Sequence, residues 1–277
     1  MAFEMPAAAQ LGGLVLRVRD ARRMRGFYQD VLGLRPDPVE PDRLTTGEGG
    51  VVVHTHHDPD APVRPPGVVG LYHFALLLPG RAALAAVVRR LLEAEWPIEG
   101  ASDHGVSEAL YLRDPEGNGI ELYRDRPKDL WPVRDGELQM VTRALDLQGL
   151  LRESRTPAPL DPQTRLGHVH LHVDDLRSGE AFYAGALGLR VTQRGYPGAL
   201  FLAAGDYHHH VGLNVWGSRR RAADGATGLV RYTWRVPAGT VTDLRAHLAP
   251  REIGYSPTGN GVRLTDPAGV EVEVVEA

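Results

Sequence analysis

Hydrophobic and polar residues follow the same succession of patterns in four stretches of the chain. Each stretch opens with alternating apolar and polar residues, which predicts a strand, and continues with an amphipathic helix and further β-rich segments. In the first stretch Asp20 is placed to cap the helix and Gly33 to end it. In the second, Trp96 and Pro97 break the helix. Each stretch therefore predicts a β-α-β-β-β module.

Two of these modules are closely related in sequence. Leu11 to Arg35 aligns without gaps with Leu166 to Arg190, and 12 of the 25 positions are identical. The other two share a weaker similarity, between Leu71 to Glu121 and Leu229 to Glu273, and both end in the pattern L-x-D-P-x-G-x-x-x-E. The chain thus carries an internal repeat of four modules in A-B-A-B order.

The repeat predicts two pairs of modules joined by a connector. Residues 1–124 hold the first pair, residues 125–165 form a connector rich in Pro, Asp and Arg, and residues 166–277 hold the second pair. The modules themselves span 11–57, 70–124, 166–217 and 228–277. Strands are predicted in Gly50 to His56, Ala109 to Tyr123, Ala199 to Gly205 and Val270 to Glu276.

Composition and charge narrow the classes of function. The 277 residues carry a formal charge of -4, which gives no electrostatic basis for binding nucleic acid or an anionic membrane. No apolar stretch approaches the roughly 18 residues of a membrane span, and the N-terminus lacks a signal-peptide pattern, so we expect a cytoplasmic protein. Without cysteine, any metal must be held by nitrogen and oxygen ligands. A small molecule is the expected partner, and a homo-oligomer is compatible with the sequence.

Two motifs connect the modules to a known superfamily. F-Y-x-x-x-L-G-L closes the first helix in the two A modules, and D-P-x-G precedes the last strand in the two B modules. With the four-module repeat, these motifs resemble the vicinal oxygen chelate superfamily, which includes glyoxalase I, the bleomycin-resistance proteins and the type I extradiol dioxygenases. The resemblance covers nearly the whole chain. It implies an α+β fold in which paired modules form open-barrel sheets, with metal ligands on their first and last strands.

The repeat alignment singles out three candidate metal ligands. His73, His168 and Glu121 match the ligand positions of the extradiol dioxygenases, most closely those of catechol 2,3-dioxygenases. Two imidazoles and one carboxylate suit Fe(II), with Mn(II) as the alternative. The equivalent positions in the other two modules are Gly13, Arg231 and Glu273.

Those three equivalent residues cannot hold a metal in the same way. Glycine offers no ligand and arginine repels a cation, so Glu273 is interpreted as a structural carboxylate that is hydrogen-bonded to Arg231. The candidate site is complete only if the second module pairs with the third across the connector. In the commonest two-domain dioxygenases, by contrast, the ligands come from the third and fourth modules.

The resemblance also implies three catalytic residues. Tyr111 lies ten residues before Glu121, which is the spacing of the dioxygenase tyrosine that hydrogen-bonds a substrate oxygen. His104 begins an H-G-x-S run similar to that of the substrate-binding histidine of the family. His210 is assigned the role of the family's acid–base histidine. Strand alternation would place His208 on the face of His210 and His209 on the opposite face, although which of the three faces the cavity stays open.

The remaining histidines receive weaker interpretations. His170 and His172 share a strand face with His168, so one of them is expected to line the cavity. The sequence gives no role to His247. Structural or surface positions are predicted for His54, His56 and His57.

The resemblance implies an extradiol ring-cleaving dioxygenase of aromatic compound catabolism. Such an enzyme, similar to catechol 2,3-dioxygenase, would insert O2 into a catechol-type substrate beside the diol at a non-haem Fe(II) centre. A glyoxalase-like metal-dependent isomerase or lyase is the first alternative, since it uses a redox-inert metal as a Lewis acid. A drug-sequestering binding protein without catalysis is the second, although such proteins usually lack the ligand triad.

Overall fold

Each of the two mixed sheets of the protein is built from two modules. The fold is described from a computed structural model, which defines residues 3–47, 51–134, 137–217 and 219–277. An eight-stranded sheet combines modules 1 and 4, and a nine-stranded sheet combines modules 2 and 3 with one connector strand. We call them the 1/4 sheet and the 2/3 sheet. The predicted α+β fold of paired sheets is confirmed.

Module 1 follows the predicted order, with a short helix capped by the side chain of Asp20, which accepts a hydrogen bond from the Arg23 amide at 2.9 Å. Gly33 ends the helical segment with a positive φ of 81°, a conformation that glycine adopts without strain. Gly50, where the last strand was predicted to begin, lies outside the described residues. The elements are β1 (Gln10–Val18), α1 (Ala21–Gly26) with a π-helical turn (Phe27–Val31), β2 (Arg35–Pro36), β3 (Arg43–Thr45) and β4 (Val51–His57).

Module 2 has the longest helix of the described residues, followed directly by Trp96 and Pro97. The apolar face of this helix packs into the core through Leu84, Val87, Val88 and Leu91. The elements are β5 (Gly70–Leu77), α2 (Arg81–Glu93), β6 (Ile98–Asp103), β7 (Ser107–Arg113) and β8 (Gly119–Asp125).

The predicted connector contains short regular elements. Its one stretch of apolar periodicity forms a helix capped by Asp146, and one of its strands pairs with β6 and extends the 2/3 sheet. The elements are a 3-10 turn (Lys128–Leu130), β9 (Val133–Arg134), β10 (Glu137–Leu138), β11 (Arg143–Ala144) and α3 (Leu147–Leu151).

Modules 3 and 4 repeat this architecture. Asp175 caps the helix of module 3 as Asp20 does in module 1. Module 3 contains β12 (Arg165–His172), α4 (Leu176–Glu180) with a π-helical turn (Ala181–Ala186), β13 (Arg190–Gln193), β14 (Ala199–Ala203) and β15 (Val211–Asn214). Module 4 contains β16 (Gly228–Val236), α5 (Thr240–Leu248) with a 3-10 turn (Ala249–Arg251), β17 (Ser256–Thr258), β18 (Gly261–Thr265) and β19 (Glu271–Glu276). None of the helices in the described part of the chain combines the length and apolar character that a membrane crossing requires.

The opening strands of the modules form the seams of the two sheets. β5 pairs with β12 in antiparallel fashion in the 2/3 sheet, and β1 pairs with β16 in the same way in the 1/4 sheet. The last strand of each B module, β8 or β19, lies parallel to the opening strand of its own module. Module 2 therefore meets module 3 across the connector, as the candidate metal site requires.

The two sequence motifs meet in a pair of buried hydrogen bonds. The tyrosine of F-Y-x-x-x-L-G-L donates to the aspartate of D-P-x-G: Tyr28 to Asp114 at 2.9 Å, and Tyr183 to Asp266 at 2.6 Å. Burial outweighs the hydrogen bonds to these carboxyls and raises the pKa of each aspartate to about 6. The bonds tie module 1 to module 2 and module 3 to module 4, so they link the two sheets to each other.

Candidate metal centre

Three neighbouring strands of the 2/3 sheet bring the predicted ligands together. His73 lies on β5, Glu121 on β8 and His168 on β12, in the strand order β8-β5-β12. Both Glu121 and His168 pair in register with Ala75, two residues beyond His73 and therefore on the same sheet face. The small side chain of Ala75 leaves space between them.

The ligand atoms converge on one point. Glu121 Oε2 lies 3.0 Å from His73 Nε2 and 3.1 Å from His168 Nε2, and the two nitrogens are 3.4 Å apart. Atoms bonded about 2.1 Å from one ion at right angles lie about 3.0 Å from each other, so the observed spacing fits one face of an octahedron. In the described part of the chain, no other group of three His, Asp or Glu residues converges in this way.

Electrostatics favour the ligand forms of these side chains. Burial lowers the pKa of His73, although its contact with Glu121 opposes this effect, and the imidazole stays neutral. Burial alone would raise the pKa of Glu121, but the charge interaction and hydrogen bond of His168, together with the hydrogen bond of His73, hold it well below its usual range. The buried carboxylate is therefore ionised, and a divalent cation would balance its charge.

A cavity of about 350 Å³ opens from the triad. Its floor is formed by the three candidate ligands, and both flanking modules and the connector supply its walls. Aromatic residues and a few polar groups line it, as in typical small-molecule sites. The aromatic residues, besides Tyr111, are Tyr72, Tyr196, Phe201 and Trp216, and the connector contributes Met140 and Thr142.

His104 and Tyr111 form a hydrogen-bonded pair in the wall of this cavity. The Nε2 of His104 lies 2.7 Å from the Tyr111 hydroxyl, and its Nδ1 lies 2.7 Å from the carbonyl oxygen of Val141. Because a carbonyl only accepts, His104 Nδ1 carries a proton, and in the neutral ring Nε2 accepts a hydrogen bond from the tyrosine. Burial and the nearby charge of Glu121 hold the pKa of Tyr111 well above its usual value, so the phenol stays protonated.

The prediction that His210 faces the cavity is wrong. His209 lines the cavity, with its ring centroid 4.2 Å from that of His168, whereas His210 packs against Trp234 and lines a separate small pocket. Strand alternation does not apply to these histidines, because residues 204–210 form bends and one turn, and β15 begins only at Val211. Periodicity of two applies only within a strand.

Other histidines fall into distinct environments. His170 lines the cavity, whereas His172 Nδ1 lies 2.6 Å from the side-chain oxygen of Asn214. His57 Nε2 lies 3.2 Å from the carbonyl oxygen of Arg19. His247 is within hydrogen-bond distance of the Gly185 carbonyl.

The equivalent place in the 1/4 sheet is filled by ion pairs. Glu273 accepts a hydrogen bond from Arg263 at 2.9 Å, and the Nε of Arg231 lies 3.7 Å from its second oxygen. The predicted partner Arg231 is thus present as an ion pair, and the shorter contact comes from Arg263. Arg263 occupies the position of Tyr111, since each lies opposite the last-strand glutamate of its own sheet.

Several cavity residues were not found from the sequence. Tyr196 lies in a turn and Trp216 follows the end of β15, so no strand pattern indicates the direction of either side chain. Met140 and Thr142 lie in the connector, which carried no signal for a site. Burial of the connector against the 2/3 sheet depends on tertiary contacts that a local pattern does not report.

The family comparison matches most of the chain. The model of the Glyoxalase/Bleomycin resistance protein/Dioxygenase superfamily matches residues 10–122 and 165–274. A catechol-2,3-dioxygenase from Bacillus subtilis (strain 168) is 42% identical over 272 residues, covering 93% of each chain. A biphenyl-2,3-diol 1,2-dioxygenase 3 from Rhodococcus globerulus is 33% identical over 129 residues, covering 44% of this chain and 66% of the relative.

Solved structures share the fold at low sequence identity. The structure of glyoxalase I from Zea mays has a TM-score of 0.58 and 18% identity, covering 97% of this chain and 92% of that one. At this identity the likeness concerns the architecture of the modules. The arrangement of the ligands is a property of this chain's own side chains.

Proposed function

This chain belongs to the glyoxalase/bleomycin resistance protein/dioxygenase superfamily, and we propose that it is an extradiol ring-cleaving dioxygenase acting on a catechol-type substrate. The observation that carries the proposal is the convergence of His73, His168 and Glu121 at the floor of an aromatic-walled cavity. The similarity to a catechol-2,3-dioxygenase along almost the whole chain supports the same reaction class.

The three converging side chains would hold Fe(II), with Mn(II) as the alternative. When bound, the ion supplies positions for the two substrate oxygens and for O2, and it passes electron density from the catechol to dioxygen. The protein would bind it with the imidazoles of His73 and His168 and the carboxylate of Glu121, which lie on neighbouring strands of the 2/3 sheet. Because all three side chains also line the cavity, they would hold the ion where a substrate could reach it.

The cavity walls would bind and orient the catechol. Flat aromatic side chains such as Phe201 and Trp216 match an aromatic ring. Tyr111 donates a hydrogen bond to His104, so the lone pairs of its oxygen are free to accept a hydrogen bond from a substrate hydroxyl. His209 projects into the cavity beside His168 and takes the acid–base role that the sequence assigned to His210. The carbon–carbon bond beside the diol breaks, and both atoms of O2 enter the ring-opened semialdehyde.

Anaerobic reconstitution with Fe(II), followed by addition of air and a panel of catechols, tests this function. We expect one equivalent of O2 to be consumed for each catechol, with appearance of a yellow ring-opened product. A glyoxalase-like lyase would instead convert its substrate with zinc or nickel and without O2 uptake. Binding of catechols without turnover in any metal form would indicate a sequestering protein and would contradict the proposal.

Replacement of Tyr111 by Phe sharpens the test. The change removes the hydroxyl at the cavity wall and leaves the triad in place, so we expect metal retention with a fall in kcat/KM of at least about tenfold. Tyr255→Phe is a matched control, because Tyr255 is exposed and lies on module 4. Unchanged turnover by Tyr111→Phe would remove the tyrosine from the proposed mechanism.

A further inference from the structure

A buried chain of hydrogen bonds ends at the cavity histidine. Asp125 Oδ1 lies 2.8 Å from His208 Nε2, and His208 Nδ1 lies 2.9 Å from His209 Nδ1. The His208 side chain is completely buried, and His209 is 7% exposed. Asp125 ends β8 of module 2, whereas both histidines belong to module 3. The chain of bonds therefore crosses the same seam as the metal triad.

The donors and acceptors give this chain a direction. An aspartate carboxylate only accepts, so His208 donates to it from Nε2. In neutral His208 the Nδ1 is then the acceptor, and the facing Nδ1 of His209 must carry a proton because two N–H groups cannot face each other at this distance. The Nε2 of His209 is left without a proton. Since Nδ1 is occupied by His208, Nε2 is the ring nitrogen available to the cavity that His209 lines.

Two tyrosines hold the far end of the chain. Tyr207 donates from its hydroxyl to Asp125 at 2.9 Å, and the Tyr123 hydroxyl lies 2.9 Å from that of Tyr207. Because the single proton of Tyr207 goes to the carboxylate, Tyr123 donates to Tyr207. Asp125 thus receives hydrogen bonds from both sides. Its carboxylate is fixed opposite His208.

We propose that Asp125 and His208 are positioning residues that fix the proton of His209 on Nδ1 and present its bare Nε2 to the cavity. The catalytic meaning of this arrangement rests on the proposed function. A catechol beside the triad offers hydroxyl donors, and an imidazole with a bare Nε2 accepts a hydrogen bond where the opposite tautomer would repel it.

Nitrogen NMR of the metal-free protein tests the proposal directly. With 15N-labelled histidine, we expect His208 to carry its proton on Nε2 and His209 on Nδ1. Signals are assigned by their disappearance in His208→Gln and His209→Gln variants. A proton on Nε2 of His209, or protons on both nitrogens of His208, in the wild-type protein at neutral pH would overturn the inference.

Substitutions at Asp125 and His208 distinguish the effect of the hydrogen-bond direction from the effect of side-chain packing. In Asp125→Asn the side-chain amide can donate a hydrogen bond to His208 Nε2. This reverses the direction of both hydrogen bonds and moves the His209 proton from Nδ1 to Nε2. His208→Gln keeps the polarity, because a glutamine can donate to Asp125 and accept from His209, whereas His208→Leu breaks the chain. Asp206→Asn is the matched control. Asp206 lies in the same loop as His208, but its carboxylate is exposed and pairs with Lys128.

The kinetic pattern distinguishes positioning from structural damage. In the iron-loaded enzyme, Asp125→Asn and His208→Leu should lower kcat at least about tenfold with unchanged metal content, and His208→Gln should restore most of it. Asp206→Asn should match the wild type. Equal kcat in Asp125→Asn and the wild type would contradict the inference. If the wild type showed no turnover of catechols, the proposed function would fail, while the tautomer result would still stand or fall by NMR.

Discussion

Each of the two sheets has a glutamate at the same position on its last B-module strand, but the charge of that glutamate is balanced differently in the two sheets. In the 2/3 sheet Glu121 faces the imidazoles of His73 and His168, and neither contact involves a guanidinium or ammonium group. In the 1/4 sheet Glu273 faces the guanidinium groups of Arg231 and Arg263. One sheet therefore has a place for an external cation, and the other supplies its cations from the chain.

The comparison shows how a repeated module gains or lacks a metal site. Both glutamates lie at matching positions of parallel strand pairs, β5 with β8 and β16 with β19. What differs is the chemistry of the opening strands, where His168 corresponds to Gly13 and His73 to Arg231. A carboxylate in the right place is thus insufficient, and its neighbours determine whether a metal can bind.

The largest expected effect comes from transferring the arginine of one sheet into the other. In His73→Arg, a guanidinium would pair with Glu121 and repel a cation, so we expect the metal content to fall from equimolar to background. Metal analysis measures this loss, with circular dichroism as the test of folding. The reciprocal Arg231→His should not create a second site, because Gly13 still offers no ligand. Full metal retention by folded His73→Arg would contradict the comparison.

A glycine at each seam provides the next test. A Cβ at Gly167 would overlap the hydroxyl of Tyr123, which is fully buried. We expect Gly167→Ala to lower the free energy of unfolding by about 1–3 kcal/mol, measured by denaturant titration. At Gly12 of the 1/4 sheet, a Cβ would meet Arg235 Nε at 2.9 Å, and this exposed side chain can move away. Gly12→Ala should therefore lower the free energy of unfolding by less than Gly167→Ala does. Equal decreases in the two variants would contradict this prediction.

The two tyrosine–aspartate bonds are expected to behave alike. Tyr28→Phe and Tyr183→Phe each remove one hydrogen bond to a buried carboxyl, so each should lower the free energy of unfolding by about 1–2 kcal/mol. Thermal and denaturant unfolding measure both variants against the wild type. A negligible effect in one of them would show that the modules are not joined equivalently.

The smallest expected effect is a pH dependence of stability. The pKa of Asp114 is raised to about 6 in the folded protein, so the native state holds this proton more tightly than the unfolded chain does. Its contribution to stability is present below about pH 4 and is lost as the pH rises through about 6. Asp114→Asn should therefore reduce the difference in the free energy of unfolding between pH 5 and pH 7. If Asp114→Asn showed the same difference between pH 5 and pH 7 as the wild type, the raised pKa of Asp114 would be contradicted.

The repeat made the fold and the converging triad predictable, because aligned modules fix which residues share a strand position. His73 and His168 could be chosen among twelve histidines since each occupies the same place in its module. His209 could not be predicted by alternation, because it lies in an irregular segment before β15, where the direction of the side chain depends on tertiary contacts with His168 and Phe201. The cavity role of Met140 escaped prediction for the same physical reason.

Anaerobic Fe(II) binding to the wild type, His168→Ala and Glu273→Ala tests the central claim most directly. Equilibrium dialysis should give one ion per chain for the wild type. Glu273→Ala should also bind one ion, because the carboxylate that it removes is paired with arginines in the wild type. Dialysis should give no stoichiometric ion for His168→Ala, which lacks one of the three converging atoms. Equimolar binding by His168→Ala, or loss of the ion in a folded Glu273→Ala, would contradict the assignment of the metal to the seam of the 2/3 sheet.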